Sequence, residues 1–139
     1  MSHHETIGGF LNKRGYPHRV RELEEGLILY EVAFEEEIDG EPDFLILVDE
    51  QAAPPSGKFI LPLTERVSDE LNRELLMANL ELEVGSFALS EDPSGYVATA
   101  GFLLEGLGEK ELERCLDGTV SAALLFFEQF GDLEGDSKS

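Results

Sequence analysis

The sequence of 139 residues has no tryptophan, one cysteine, and only 10 basic residues against 30 acidic ones. With Cys115 as its single thiol, the chain cannot form an intramolecular disulfide, which fits a reducing compartment such as the cytoplasm. The formal net charge of -20 disfavours direct binding to nucleic-acid phosphates and to anionic membranes. An acidic surface of this kind is typical of a soluble protein, and the alternative is a docking surface for a basic partner.

The sequence also lacks a long apolar run. No segment approaches the ~18 apolar residues that a membrane-spanning helix needs. The polar segment MSHHETIGGF at residues 1–10 does not resemble a signal peptide. We therefore expect a cytoplasmic protein, with one domain at residues 1–131 and a flexible acidic tail at 132–139. The apolar share of 42% is sufficient for a hydrophobic core.

Motifs that carry chemistry are scarce. His3, His4 and Glu5 have metal-ligating side chains, but a mobile terminus holds such ligands in poor geometry. The acidic run at residues 35–43 lacks the ligand spacing of a calcium-binding loop. Cys115 lies on the apolar face of a predicted helix, as expected for a buried structural thiol. We therefore predict no catalytic, cofactor-binding or metal-binding residues.

Hydrophobic periodicity predicts three helices and five or six strands. Apolar residues recur every three or four positions at 6–14, 70–82 and 109–130, which indicates helices. Strands are predicted at 18–23, 27–34, 44–48, 58–61, 86–90 and 96–104. Because short hairpins join most of these strands, the order α-β-β-β-α-β-β-α favours an α+β fold with an antiparallel sheet, with three or four strands before the second helix.

Local signals predict where several of these elements begin and end. Gly15 and Gly131 are expected to end the first and third helices, and Ser68 to cap the second. Pro62 is expected to end the fourth strand, and residues 92–95 form a predicted turn.

Four of the ten basic residues cluster near the first helix, and we interpret them as internal charge complementation for an acidic chain. They are Lys13, Arg14, Arg19 and Arg21.

The predicted strands are apolar on both faces. In FLILV, Phe44, Ile46 and Val48 point to one side of the sheet while Leu45 and Leu47 point to the other. A sheet covered by helices on one side normally alternates between apolar and polar residues. Since large exposed apolar patches are rare on monomeric proteins, the second face requires a cover. Another copy of the chain, a protein partner, and the chain's own loops are the three alternatives.

Several segments resemble a known family. They are the leucine-rich run LLMANL at 75–80, the segment GSFAL at 85–89, the strand at 96–104 and the helix start GEKEL at 108–112. With the order of elements, they resemble the type III secretion chaperone fold, and especially its YbjN-like branch of small bacterial proteins, which are often described as sensory-transduction regulators. Residues 66–130 carry most of the resemblance, whereas residues 6–62 share only the order of elements.

The resemblance implies a non-enzymatic homodimer that holds a protein partner, as a chaperone or a stress-response regulator does. In secretion chaperones the central helix and the last two strands form the dimer contact, and the first helix and first strands hold the partner. The implied dimer-interface residues are Leu80, Leu82, Phe87, Leu89, Val97 and Thr99. The implied partner-binding residues are Phe10, Leu11, Leu27, Leu29, Phe44 and Ile46.

Two other functions remain open at this stage. An acidic protein can imitate nucleic acid and so regulate a DNA-binding protein. The acidic run at residues 35–43 can alternatively serve a small-ligand or metal-binding domain.

Overall fold

A computed structural model describes residues 3–34, 42–64, 69–80, 82, 84–89 and 95–136. It confirms the predicted α+β class, with three helices and a six-stranded antiparallel sheet in the order α-β-β-β-β-α-β-β-α. The helices are α1 (His3–Lys13), α2 (Asp69–Asn79) and α3 (Glu109–Asp136). The strands are β1 (His18–Glu24), β2 (Leu27–Val32), β3 (Phe44–Asp49), β4 (Ser56–Thr64), β5 (Ser86–Leu89) and β6 (Tyr96–Leu103).

The sheet has the strand order β1-β2-β3-β4-β6-β5, and every neighbouring pair is antiparallel. We call the face that contacts the helices the inner face and the opposite face the outer face. Strand β3 shows the division: Phe44, Ile46 and Val48 are fully buried on the inner face, whereas Leu45 and Leu47 are half-buried on the outer face. The predicted two-sided apolar character of this strand is therefore confirmed.

The core lies on the inner face in two clusters. The first joins Ile7 and Phe10 of α1 to the inner residues of β2, β3, β4 and β6 and to Leu112 of α3. The second joins Leu75 of α2 to Phe126 of α3 and to inner residues of β5 and β6. Because α3 contributes to both clusters, it ties the two halves of the sheet together.

Asn79, the last residue of α2, fixes the start of β5. Its side-chain amide donates from Nδ2 to the Phe87 carbonyl at 3.1 Å, and its Oδ1 accepts from the Phe87 amide at 2.7 Å. These two bonds satisfy both backbone groups of Phe87 and hold the end of α2 against the edge strand. Leu76, placed on the buried face by sequence periodicity, instead projects into solvent.

The four clustered basic residues pair with carboxylates, as the charge pattern predicts. Lys13 and Arg14 at the end of α1 lie 3.2 and 3.5 Å from Glu109 and Glu113 of α3. In β1, Arg19 and Arg21 both lie 3.3 Å from a carboxylate of β2, Glu31.

Two predicted element ends are wrong. Strand β4 continues through Pro62. The pairing of β4 with β3 ends at Ile60, so Pro62 has a neighbouring strand on one side only. A proline is tolerated there because its missing N–H breaks no hydrogen bond to β3. Helix α3 continues through Gly131 to Asp136, since an internal glycine lowers helix stability by only about 1 kcal/mol. Ser68, residues 92–94 and most of the acidic run, 35–41, lie outside the described residues.

At Gly118, α3 lies in close contact with the chain just before β5. A Cβ atom at this position would lie 2.7 Å from the Val84 Cβ and 2.9 Å from the Val84 carbonyl oxygen. On the other side of the contact, Gly85 has a φ of 89° and faces the Gly118 carbonyl oxygen. The sequence suggests only a weak point in a helix, whereas the structure shows that the missing side chain permits this contact.

The substitution Gly118→Ala is expected to destabilise the protein by about 1–3 kcal/mol, because the added methyl group overpacks the contact with Val84. Gly9→Ala is the matched control: this glycine lies in α1 with nothing within 4 Å of an added Cβ, so alanine should stabilise the helix by up to about 1 kcal/mol. Urea unfolding of both variants measures the two effects. Equal stabilisation by both substitutions would contradict the contact.

Candidate interaction surface

The outer face carries a continuous group of apolar side chains, which we call the outer-face cluster. It consists of Leu27 and Leu29 of β2, Leu45 and Leu47 of β3, and Ile60 of β4. All five are half-buried, and together with neighbouring residues they line an open depression of about 480 Å³. In a sheet with one face in water, the residues that point to that face are normally polar. Here the outward-pointing residues of β2, β3 and β4 include leucine and isoleucine, and these form the cluster.

The described helices do not cover this cluster. Every apolar side chain that is buried on α1, α2 and α3 belongs to one of the two inner-face core clusters. Incomplete burial of the outer leucines forfeits about 25 cal/mol for each Å² of apolar surface left in water. An occupant of the outer face would therefore gain the hydrophobic free energy that the isolated chain does not realise.

Charges on the outer face balance each other, in contrast to the chain as a whole. The strand pairing places three basic and three acidic residues on this face: Arg19, Arg21, Lys58, Glu24, Glu31 and Asp49. Their formal charges sum to zero, whereas the full sequence carries -20. Among the described strand residues, the outer face is therefore apolar and carries no net formal charge.

The residues implied as a dimer interface do not form one surface. Val97 and Thr99 lie on the outer face of β6, and Phe87 is buried in the core. On the helical side, Leu80 is 84% exposed and Leu82 is half-buried. The backbone of Leu89 belongs to β5, but its side chain is outside the described part.

The residues implied as a partner groove divide between the two faces. Phe10, Leu11, Phe44 and Ile46 are at most 4% exposed in the core, so they are not accessible to a partner. Leu27 and Leu29 belong to the outer-face cluster. Sequence reasoning missed Leu45, Leu47 and Ile60, although the alternation in β3 indicated that Leu45 and Leu47 share a face. It could not indicate which face the helices cover.

Helix α2 presents a second, smaller apolar surface. Leu76, Met77 and Leu80 are exposed along it, and an apolar groove of about 280 Å³ lies between α2 and β5. Leu124 and Phe127 of α3 are also exposed, whereas the neighbouring Phe126 is fully buried.

One group of described side chains has the composition of a metal site. His3 and His4 lie in the first turn of α1, because this helix begins three residues earlier than predicted. Both imidazoles contact Glu50, which follows β3. The expectation that a mobile terminus would hold these ligands poorly is therefore wrong.

Comparison with models of protein families gives no match for this chain, and comparison with curated protein sequences gives none. Among the described helices, none combines the length and apolarity needed to cross a membrane.

Cys115 is a buried thiol. Its side chain is 1% exposed, and Sγ lies 3.4 Å from the Gly101 carbonyl oxygen. Burial, followed by the nearby Glu111 carboxylate, raises the pKa of the Cys115 thiol to about 11. The folded state thus holds this proton more tightly than the unfolded state. The resulting contribution to stability is present below the ordinary thiol pKa and is lost as the pH rises through about 11.

We expect iodoacetamide to label Cys115 at least about 100-fold more slowly in the native protein than in the denatured chain at pH 8, because only the thiolate reacts. Mass spectrometry of quenched samples measures the two rates. Comparable rates would indicate an accessible, activated thiol and would reopen the possibility of nucleophilic catalysis.

Proposed function

We propose that this protein is a non-enzymatic protein-binding module that acts as a homodimer, with the outer faces of two sheets in contact. The observation that carries the proposal is the outer-face cluster, which is apolar, charge-balanced and not covered by the described helices. The centre of this surface consists of leucine and isoleucine side chains, which favour the burial of another apolar surface.

A second copy of the chain is the occupant that the charges favour. A basic partner would be attracted to the acidic surfaces, whereas the neutral outer face offers it no electrostatic advantage. In a two-fold dimer each patch meets itself, so the basic and acidic side chains of one face can pair with those of the other. Two highly acidic chains can approach each other through a face whose described strand residues carry no net charge.

The dimensions of the face suit a dimer. Six strands about 4.8 Å apart and about six residues long span roughly 25 by 20 Å. The accessible surface of such a corrugated face approaches the ~800 Å² that each partner contributes to an interface of standard size.

The resemblance to the secretion chaperones and their YbjN-like branch belongs to this proposal. It adds a bacterial, cytoplasmic regulator or chaperone that holds a further protein, and the exposed residues of α2 provide a surface for that contact. The position of the dimer contact differs from the one that the resemblance implies. The outer-face cluster lies mainly on β2, β3 and β4, not on the central helix and the last two strands.

The double substitution Leu45→Gln with Leu47→Gln is expected to convert a micromolar dimer into a monomer. It removes apolar surface from the centre of the outer face without adding charge, and both side chains point away from the core. Sedimentation equilibrium measures the dissociation constant, which we expect to rise at least about 100-fold. Leu45 and Leu47 of each chain go from half-buried to buried in the dimer, and these four side chains together contribute about 3 kcal/mol or more.

Leu124→Gln is the matched control, since Leu124 is an equally apolar residue that is 64% exposed on α3. This variant should remain a dimer. A wild-type protein that is monomeric at micromolar concentration would refute the proposal. A dimer that Leu124→Gln disrupts and the double variant preserves would refute it as well, because the interface would then lie on the helical side.

Dimerisation is expected to strengthen as salt is added. The apolar contact changes little, whereas the repulsion between two chains of charge -20 is screened as the Debye length falls from about 30 Å at 10 mM to about 8 Å at 150 mM salt. Sedimentation at both ionic strengths measures the change. An acidic mimic of nucleic acid shows the opposite dependence, since its binding to a basic DNA-binding protein weakens with salt.

A further inference from the structure

The first turn of α1 and the end of β3 bring three side chains together. His3 and His4 are adjacent in sequence, and Glu50 lies 47 and 46 positions from them. Glu50 Oε2 lies 2.7 Å from His3 Nε2 and 3.1 Å from His4 Nε2. The potential ligand atoms of the three residues all lie within 4.8 Å of one another. In the described part of the chain this is the one group with three or more such ligands.

Tyr30 orients one of the two imidazoles. Its hydroxyl lies 2.6 Å from His4 Nδ1, the ring nitrogen that does not face Glu50. A histidine that ligates a metal commonly hydrogen-bonds through its other nitrogen, which fixes the tautomer and the direction of the free lone pair. The Tyr30 hydroxyl therefore stands where a supporting group for a metal-bound His4 is expected.

The hydroxyl can support both states of His4. Without a metal, a neutral His4 that carries its proton on Nε2 donates to Glu50, and its Nδ1 accepts from the tyrosine O–H. When Nε2 binds a metal, the imidazole proton moves to Nδ1, which then donates to the tyrosine oxygen. Burial, and secondly the Glu50 charge, raises the pKa of Tyr30 to about 12, so this group stays a neutral hydroxyl near pH 7.

We propose that His3, His4 and Glu50 bind one Zn²⁺ ion per chain, with Tyr30 as the group that positions His4. Two imidazoles and one carboxylate form a ligand set that zinc accepts, and a water molecule completes a tetrahedron. Zinc bonds of about 2.0–2.1 Å place tetrahedral ligand atoms about 3.3 Å apart. The two contacts measure 2.7 and 3.1 Å, so the ligand atoms must separate by a few tenths of an ångström to seat the ion. The side chains of His3, His4 and Glu50 are 22%, 37% and 34% exposed, so small rotations can admit an ion.

A zinc ion at this position would fasten the first turn of α1 to the sheet. His3 and His4 belong to the helix, whereas Glu50 and Tyr30 belong to the segment after β3 and to the neighbouring β2. The inner-face side chain of Tyr30 places the site on the helical side of the sheet, away from the outer-face cluster. Zinc binding and dimerisation through the outer face are therefore separate properties, and each can fail without the other.

Titration of the full-length protein with ZnCl₂ against a chromophoric chelator tests the site, with elemental analysis for stoichiometry. The wild type is expected to bind one zinc per chain at micromolar concentration and to melt at a higher temperature when loaded. Glu50→Gln keeps the size of the side chain but removes the charged ligand, and should weaken binding more than about 10-fold. Tyr30→Phe leaves all three ligands in place and should weaken binding by about 10-fold without changing the stoichiometry.

Asp49→Asn is the matched control, because Asp49 is the carboxylate next to Glu50 in sequence but lies on the outer face, where its Oδ1 accepts from the Gln51 amide. This variant should bind zinc like the wild type. Two results would overturn the proposal: no saturable binding at micromolar zinc, or equal affinity in the wild type and Glu50→Gln, which would assign the binding to the histidine pair alone. Sedimentation of Glu50→Gln in parallel separates this outcome from a failure of the dimer.

Discussion

The architecture depends on the burial of one face of a six-stranded sheet by three helices. Each strand sends alternate side chains to opposite faces, so the same leucine- and isoleucine-rich segments that build the core also place leucines on the other side. α1 and the first half of α3 cover β2, β3 and β4, while α2 and the second half of α3 cover the β5 end. The arrangement gives a closed core and leaves the opposite face with apolar surface that the described helices cannot bury.

Local sequence patterns were sufficient for the elements and the fold class. The helical stripe of α3 and the strict period of β3 depend on residues that are close in sequence, and hairpins favour antiparallel pairing over parallel crossovers. The identity of the covered face was not predictable in the same way. Phe44 and Leu45 are both large and apolar, and only the position of the helices makes one a core residue and the other a surface residue.

Tertiary contacts decided the remaining differences. Pro62 is tolerated in β4 because strand β3 does not extend alongside it. This depends on how the strands pair, which the local sequence around the proline does not reveal. Glu50 was indistinguishable from the other acidic residues in the sequence, since it lies 46 positions from His4 and only the fold brings the two together. The sequence offered His3 and His4 with an adjacent carboxylate, Glu5, whereas the fold supplied a distant one.

The backbone contact between Gly85 and Gly118 links two positions 33 residues apart in any protein that shares this arrangement. A larger residue at either position pushes the last helix away from the edge strand, so substitution at one site is tolerated only if the spacing of both elements changes. Together with the asparagine at 79 that bonds the backbone of residue 87, these glycines define a sparse pattern of three positions. Such a pattern can identify distant relatives whose remaining residues have diverged beyond overall similarity.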